Sequence, residues 1–137
     1  MEGGKAISTP LPPYVKLNAK DSLTSDVEKD EMTKVPYASC VGSLMYAMIA
    51  TRLDIAFAVG VVRRFMSDPG KKHWEAVKGI LRYLSGTKDM CICFGKSNSG
   101  VLGYTDSNYA GNSDNRRSTT GYIFILYGSA ISWMSRL

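Results

Sequence analysis

Gly103-Tyr104-Thr105-Asp106-Ser107-Asn108-Tyr109-Ala110-Gly111, followed by Arg116-Arg117-Ser118-Thr119-Thr120-Gly121-Tyr122, decides how this chain reads. Period two puts Leu102, Tyr104 and Asp106 on one side of a strand over 101–109, with a carboxylate near its end. A basic loop follows, then a second strand over 120–127. Ala130 to Ser135 reads as a third, and Gly128-Ser129 between them suits a tight two-residue hairpin turn. Upstream, Cys91-Ile92-Cys93-Phe94 reads as a short strand closed by Gly95 and a Ser/Asn/Gly loop. The expected sheet therefore has three or four antiparallel strands.

Before Met90 the pattern is helical. Val41, Leu44, Met45 and Met48 recur at helical spacing in a segment from near Ser39 to Ala50. A second helix is expected from Asp54, whose carboxylate suits an N-cap, with Ile55, Val59, Val62 and Met66 on one face. Asp68-Pro69-Gly70 is a stop and a turn. A third helix over 71–84 carries Trp74, Val77, Leu81 and Leu84 at three-four spacing and ends toward Gly86, and Lys71, Lys78 and Arg82 share another face. Residues 1–35 hold Pro10, Pro12 and Pro13 and then a polar, charged run, which reads as a flexible arm or linker that orders only against a partner. The reading is α+β in three zones: arm 1–35, helical segment 36–89, partial sheet 90–137.

The 137 residues suffice for one ordinary domain or for pieces of two. A net charge of +5 favours anionic partners, nucleic acid first among them. No apolar run reaches the roughly 18 residues of a membrane span, and Met1-Glu2-Gly3-Gly4-Lys5 lacks the apolar region of a signal peptide. Three cysteines, an odd number, fit a reducing compartment, so an intracellular place, cytoplasmic or nuclear, is expected.

Few residues can carry chemistry. Asp106 is a candidate metal ligand, and its plainer reading is an exposed or hydrogen-bonded strand Asp. Asp114, in Asn112-Ser113-Asp114-Asn115, has a turn composition. Arg116 and Arg117 could grip phosphates beside Asp106, and Lys71, Lys78 and Arg82 could do so from the helix, although a charge row is usually the wet side of an amphipathic helix. His73, the sole histidine, has no Cys or Asp at ligand spacing and reads as a surface or packing residue. Cys91 and Cys93 are not a CxxC pair and give no zinc signal. Walker-type and dinucleotide-binding loops are absent.

The blocks Val35-Pro36-Tyr37-Ala38-Ser39-Cys40-Val41-Gly42-Ser43-Leu44-Met45-Tyr46, Thr51-Arg52-Leu53-Asp54-Ile55-Ala56-Phe57-Ala58-Val59, Lys72-His73-Trp74-Glu75-Ala76 and Ile80-Leu81-Arg82-Tyr83-Leu84 resemble the segment after the fingers and palm in plant copia-type retrotransposon Pol polyproteins. Gly103 to Gly111, Arg116 to Tyr122 and Ile131-Ser132-Trp133 resemble the opening strands of that family's ribonuclease H domain. The resemblance implies a thumb- or connection-like helical part and a truncated ribonuclease H-like sheet. It implies a parent that copies RNA into DNA and degrades the RNA of the hybrid with Mg2+. Such a site uses two ions roughly 3.5–4 Å apart held by clustered acids.

Carried over residue by residue, Asp106 falls at the family's first metal-binding aspartate. The polymerase's Tyr-x-Asp-Asp element would precede Met1, and the second nuclease acid would follow Leu137. Asn108 stands where aspartate is common, which puts a supporting acid beside Asp106 in doubt; Leu53 and Cys40, where proline and alanine are common, are tolerable departures. The expectation is a polypeptide inactive alone, with no bound metal, whose sheet leaves an apolar face open to self-association. The alternative is a non-enzymatic nucleic-acid-binding or dimerising module.

Overall fold

The computed structural model describes residues 7–22, 26–95, 100–112 and 114–137. The chain divides into two compact units, Met1–Lys88 and Asp89–Leu137, the first helical and the second a sheet. The architecture is α+β. Among the described residues no helix is long and apolar enough to cross a membrane.

The helical unit contains α1 (Asp26–Thr33), α2 (Tyr37–Ala50), α3 (Ala56–Val62) and α4 (Lys71–Gly86). Tyr37, Val41 and Leu44 turn one face of α2 into the core, and Met45 and Met48 pack at its margin. The Tyr37 hydroxyl donates to the Val62 carbonyl at 2.8 Å, which satisfies it at depth, and burial pushes the phenol's pKa well up. Helix α3 is short because 3₁₀ turns, Leu53–Ile55 and Arg63–Phe65, bracket it. The second turn corrects the expected face. Ile55, Val59 and Val62 are buried, but Phe65 and not Met66 continues them. A 3₁₀ turn stacks side chains three apart, so position 65 follows 62 inward.

The buried stripe of α4 is His73, Ala76, Val77, Ile80 and Tyr83, while Trp74, Leu81 and Leu84 are only partly buried. The expected stripe is thus displaced by about one residue, with a histidine at its start. Asp54 is not an N-cap either. It lies inside a 3₁₀ turn, and its carboxylate is taken by Arg52 and Tyr83.

The reading of 1–35 as a flexible arm or linker needs correction over its described residues, 7–22 and 26–35. Residues 26–33 are helical, in keeping with their Glu, Lys and Met content. Leu17 is buried in the core cluster, and Asn18 and Asp21 cap a 3₁₀ turn over 19–21. That turn is fixed to α4 by Asp21 Oδ1 with Lys72 Nζ at 2.5 Å, and Ser22 Oγ donates to the Asp68 carbonyl at 2.8 Å. A Cβ on Gly70 would lie 1.9 Å from the Asp21 carbonyl oxygen, so the glycine is required by close backbone approach.

The sheet unit holds β1 (Leu102–Ser107), β2 (Thr120–Leu126) and β3 (Ser129–Arg136) in the antiparallel order β1-β2-β3. Tyr104 pairs with Ile123, Ile123 with Trp133, and Asp106 with Gly121. The β2–β3 turn is Tyr127-Gly128, one residue earlier than expected, with φ of 51° and 79°. Two left-handed residues give the turn that matches strand twist, and glycine supplies one at no steric cost. Residues 90–95 form no strand, contrary to expectation. Among the described residues their backbone tie to the sheet is the Gly95 N–H donating to the Tyr127 carbonyl, and Gly95 adopts φ 99°. The loop expected over 96–99 lies outside the described residues.

Candidate nucleic-acid and metal site

Strand β1 is exposed along its whole length, and Asp106 with it. Its cross-strand neighbour is Gly121, which has no side chain, so nothing on β2 crowds the carboxylate. One carboxylate oxygen accepts the Ser107 N–H at 2.8 Å. The loop from β1 to β2 begins and ends at this end of the strand pair. Asn108 N donates to the Thr119 carbonyl at 3.0 Å, and Asn108 Oδ1 accepts the Thr119 N–H at 2.6 Å. Asn108, where an acid would be expected, therefore closes the loop.

Asn112 organises the loop's interior. It is buried, its Oδ1 accepts the Asp114 N–H at 3.0 Å, and its Nδ2 donates to Asn115 Oδ1 at 2.8 Å. Asn115 Oδ1 also accepts the Arg117 N–H at 3.1 Å. Ala110 and Arg116 adopt left-handed backbone, φ 49° and 57°. Short polar side chains bonding their own backbone hold such turns, so the Asn-rich composition was the legible signal for this scaffold. It presents Arg116 and Arg117 exposed, and neither pairs with an acid among the described residues.

The helical cations behave differently. Lys71 Nζ lies 3.6 Å from Glu28 Oε1 and 3.1 Å from Glu31 Oε2, both on α1. Glu31, then Glu28, raises the pKa of this ammonium. Lys78 pairs with Glu75 one turn before it. Arg82 alone of the three pairs with no acid among the described residues. Its Nε is buried without a hydrogen-bond partner there, and its side chain borders an open groove under residues 10–17. The basic row expected on α4 is thus largely neutralised by neighbouring acids, and α1, missed in the sequence, supplies two of them.

Among the described residues no three His, Cys, Asp or Glu side chains gather where they could hold a metal. Asp106 and Asp114 do not form such a group, and Asp114 is an exposed turn residue. These residues do not fit a two-ion magnesium centre, which needs several convergent oxygens. His73 is wholly buried, stacked on Phe65 with ring centroids 4.0 Å apart. Its Nδ1 accepts the Gly70 N–H at 2.8 Å, and Nε2 faces the Asn18 carbonyl at 3.2 Å. It packs and caps the start of α4.

Three relatives frame these observations. The retrovirus-related Pol polyprotein from transposon TNT 1-94 of Nicotiana tabacum is 58% identical over 137 residues, all of this chain and 10% of that protein. The corresponding polyprotein from transposon RE1 of Arabidopsis thaliana is 41% identical over 133 residues, 96% of this chain and 9% of that protein. Secreted RxLR effector protein 161 of Plasmopara viticola is 47% identical over 106 residues, 77% of this chain and 75% of that protein. The chain thus spans about a tenth of the Pol polyproteins it matches. No protein-family model matches it, and no solved structure matches it significantly.

Proposed function

Because the chain belongs to one sequence family with a segment of the retrovirus-related Pol polyproteins of plant transposons, we propose that it is the reverse transcriptase–ribonuclease H junction of such a polyprotein, of copia type, without turnover of its own. The observation that carries this is Asp106. It is exposed opposite Gly121, no two further acids join it among the described residues, and by the sequence resemblance it would correspond to the family's first nuclease aspartate. The three-stranded meander is the opening of the nuclease sheet, and α2 to α4 form the thumb- or connection-like part. In a complete enzyme Mg2+ would supply activation of the attacking water and stabilisation of the leaving oxygen; of the carboxylates that would hold it, this segment has Asp106. The test is cleavage of a labelled RNA–DNA hybrid by purified residues 1–137 with Mg2+. We expect no cleavage above buffer, and the same for Asp106→Asn. Cleavage that Asp106→Asn abolishes overturns the inactive reading.

A second reading, a non-enzymatic binding module, is favoured by one observation. A secreted effector shares this segment over three quarters of its own length, so the segment occurs outside a polyprotein. Arg116 and Arg117 are then the phosphate-gripping residues of the sheet unit, and Arg82 is a separate candidate on the helical unit. The expected result is weak, sequence-independent binding of single strands or hybrids. Affinity falls steeply between 50 and 200 mM salt, roughly in proportion to the few phosphates neutralised. Arg116→Ala/Arg117→Ala flattens that slope in fluorescence anisotropy. Binding indifferent to salt contradicts the reading, and light scattering across concentrations shows whether the exposed sheet pairs two copies.

A further inference from the structure

We propose that Cys91 and Cys93 form a vicinal dithiol modification site, which exchanges with low-molecular-weight disulfides of the glutathione class to give an intrachain Cys91–Cys93 disulfide. Their Sγ atoms are 3.4 Å apart, in hydrogen-bond contact, and both residues are exposed. Only Ile92 separates them, so a bridge forms within one strand of chain. Residues 90–95 belong to no helix or strand. That freedom matters. Two residues of extended chain span roughly 6.6–7.2 Å, at or beyond the upper limit of about 6.8 Å for bridged Cα atoms. The backbone must contract slightly to close the ring, and no ladder of hydrogen bonds opposes it. Among the described residues no third His, Cys, Asp or Glu joins the pair, so a four-ligand zinc site is not available to it.

The contact also couples the two thiols: the hydrogen bond with Cys93, and then its charge, raises the pKa of Cys91. Either sulfur can attack first, and exchange from Cys93 takes two steps. The Cys93 thiolate attacks one sulfur of the small disulfide, forming a mixed disulfide and expelling one thiolate. Cys91 then gives its proton to water, and its sulfur attacks Sγ of Cys93, breaking the mixed bond and expelling the second thiolate. The protein loses two electrons and two protons, and the small disulfide becomes two thiols. An exposed, conformationally stretched bridge of this kind is readily reduced again.

The experiment uses the full chain. It is incubated with glutathione disulfide, quenched with an alkylating agent and weighed intact. Of the three cysteines, Cys40 packs half-buried against the helical core. The expected product keeps one alkylatable thiol, mapped to Cys40, carries no glutathione, and regains three thiols on addition of reduced glutathione. Cys91→Ser should trap a stable glutathione adduct on Cys93, and Cys93→Ser should trap one on Cys91, since neither variant keeps a second thiol to expel it. Separate glutathione adducts on Cys91 and Cys93 in the unaltered chain, a disulfide between two chains, or three thiols throughout would each overturn the proposal.

Discussion

Arg52→Ala is expected to destabilise the helical unit by about 3 kcal/mol, because it removes one partner of a largely buried ion pair and uncaps the end of α4. The Arg52 side chain is 13% exposed and grips Asp54 in bidentate fashion, Nε to Oδ1 at 3.0 Å and Nη2 to Oδ2 at 2.7 Å. The same guanidinium donates to the Thr87 carbonyl at 3.1 Å, satisfying a group that the end of α4 leaves without an intrahelical donor. Tyr83 completes the cluster by donating to Asp54 Oδ2 at 2.8 Å. Arg52→Lys should lose more than half of this, since an ammonium cannot reproduce the planar fork.

Asp54→Asn gives the same network a pH signature. Partial burial works against the Asp54 carboxylate, but the hydrogen bonds from Arg52 and Tyr83 outweigh it, and its pKa lies below the ordinary value. A carboxyl whose pKa is depressed by folding contributes its stability above its unfolded pKa, about 3.9, and loses it as pH falls through the folded value. The gap between the unaltered chain and Asp54→Asn should therefore be full at pH 7 and narrow below about pH 4. Urea unfolding in a Trp133→Phe background, with Trp74 reporting on the helical unit alone, measures both. A gap that is flat across acid pH contradicts the assigned role.

His73→Ala should cost about 3 kcal/mol by the same measurement. The substitution empties a wholly buried site, removes the ring stacked on Phe65, and leaves the Gly70 N–H without its acceptor. The Asn18 carbonyl loses one of its two partners and keeps the Asp21 N–H at 3.0 Å, so a contact between α4 and the 17–22 segment is lost as well. His73→Gln, which can still offer an acceptor toward Gly70, should recover part of it. A cost below about 1 kcal/mol for the alanine variant would mean that the ring is not the cap the geometry describes.

These two networks were the least legible parts of the sequence. Periodicity located α2, and it placed Ile55, Val59, Val62 and Val77 inside, because apolar spacing reports directly on which face loses water. It could not rank Met66 against Phe65, since the choice depends on a 3₁₀ turn set by tertiary packing. It read Asp54 as a local cap and left His73 open between surface and packing, because a polar residue enters a core only when distant partners satisfy it. Here those partners lie 55 and 29 residues away, at Asn18 and Tyr83. In the sheet unit the alternation and turn residues marked β1, β2 and β3. The Cys91–Phe94 run has the same alternation, but among the described residues its backbone link to the sheet is the hydrogen bond at the adjacent Gly95, and alternation alone does not show whether a neighbour is in reach. Of the candidate site, Asp106 and the arginine loop could be read. The neutralisation of Lys71 could not, because it depends on α1.

The central claim is that Asp106 by itself cannot hold a pair of divalent ions. Calorimetric titration of residues 1–137 with Mg2+, repeated with Mn2+ by water-proton relaxation, tests it most directly. The account predicts at most weak, unsaturable binding that Asp106→Asn leaves unchanged. Two ions bound per chain with a defined stoichiometry, lost on Asp106→Asn, would contradict it.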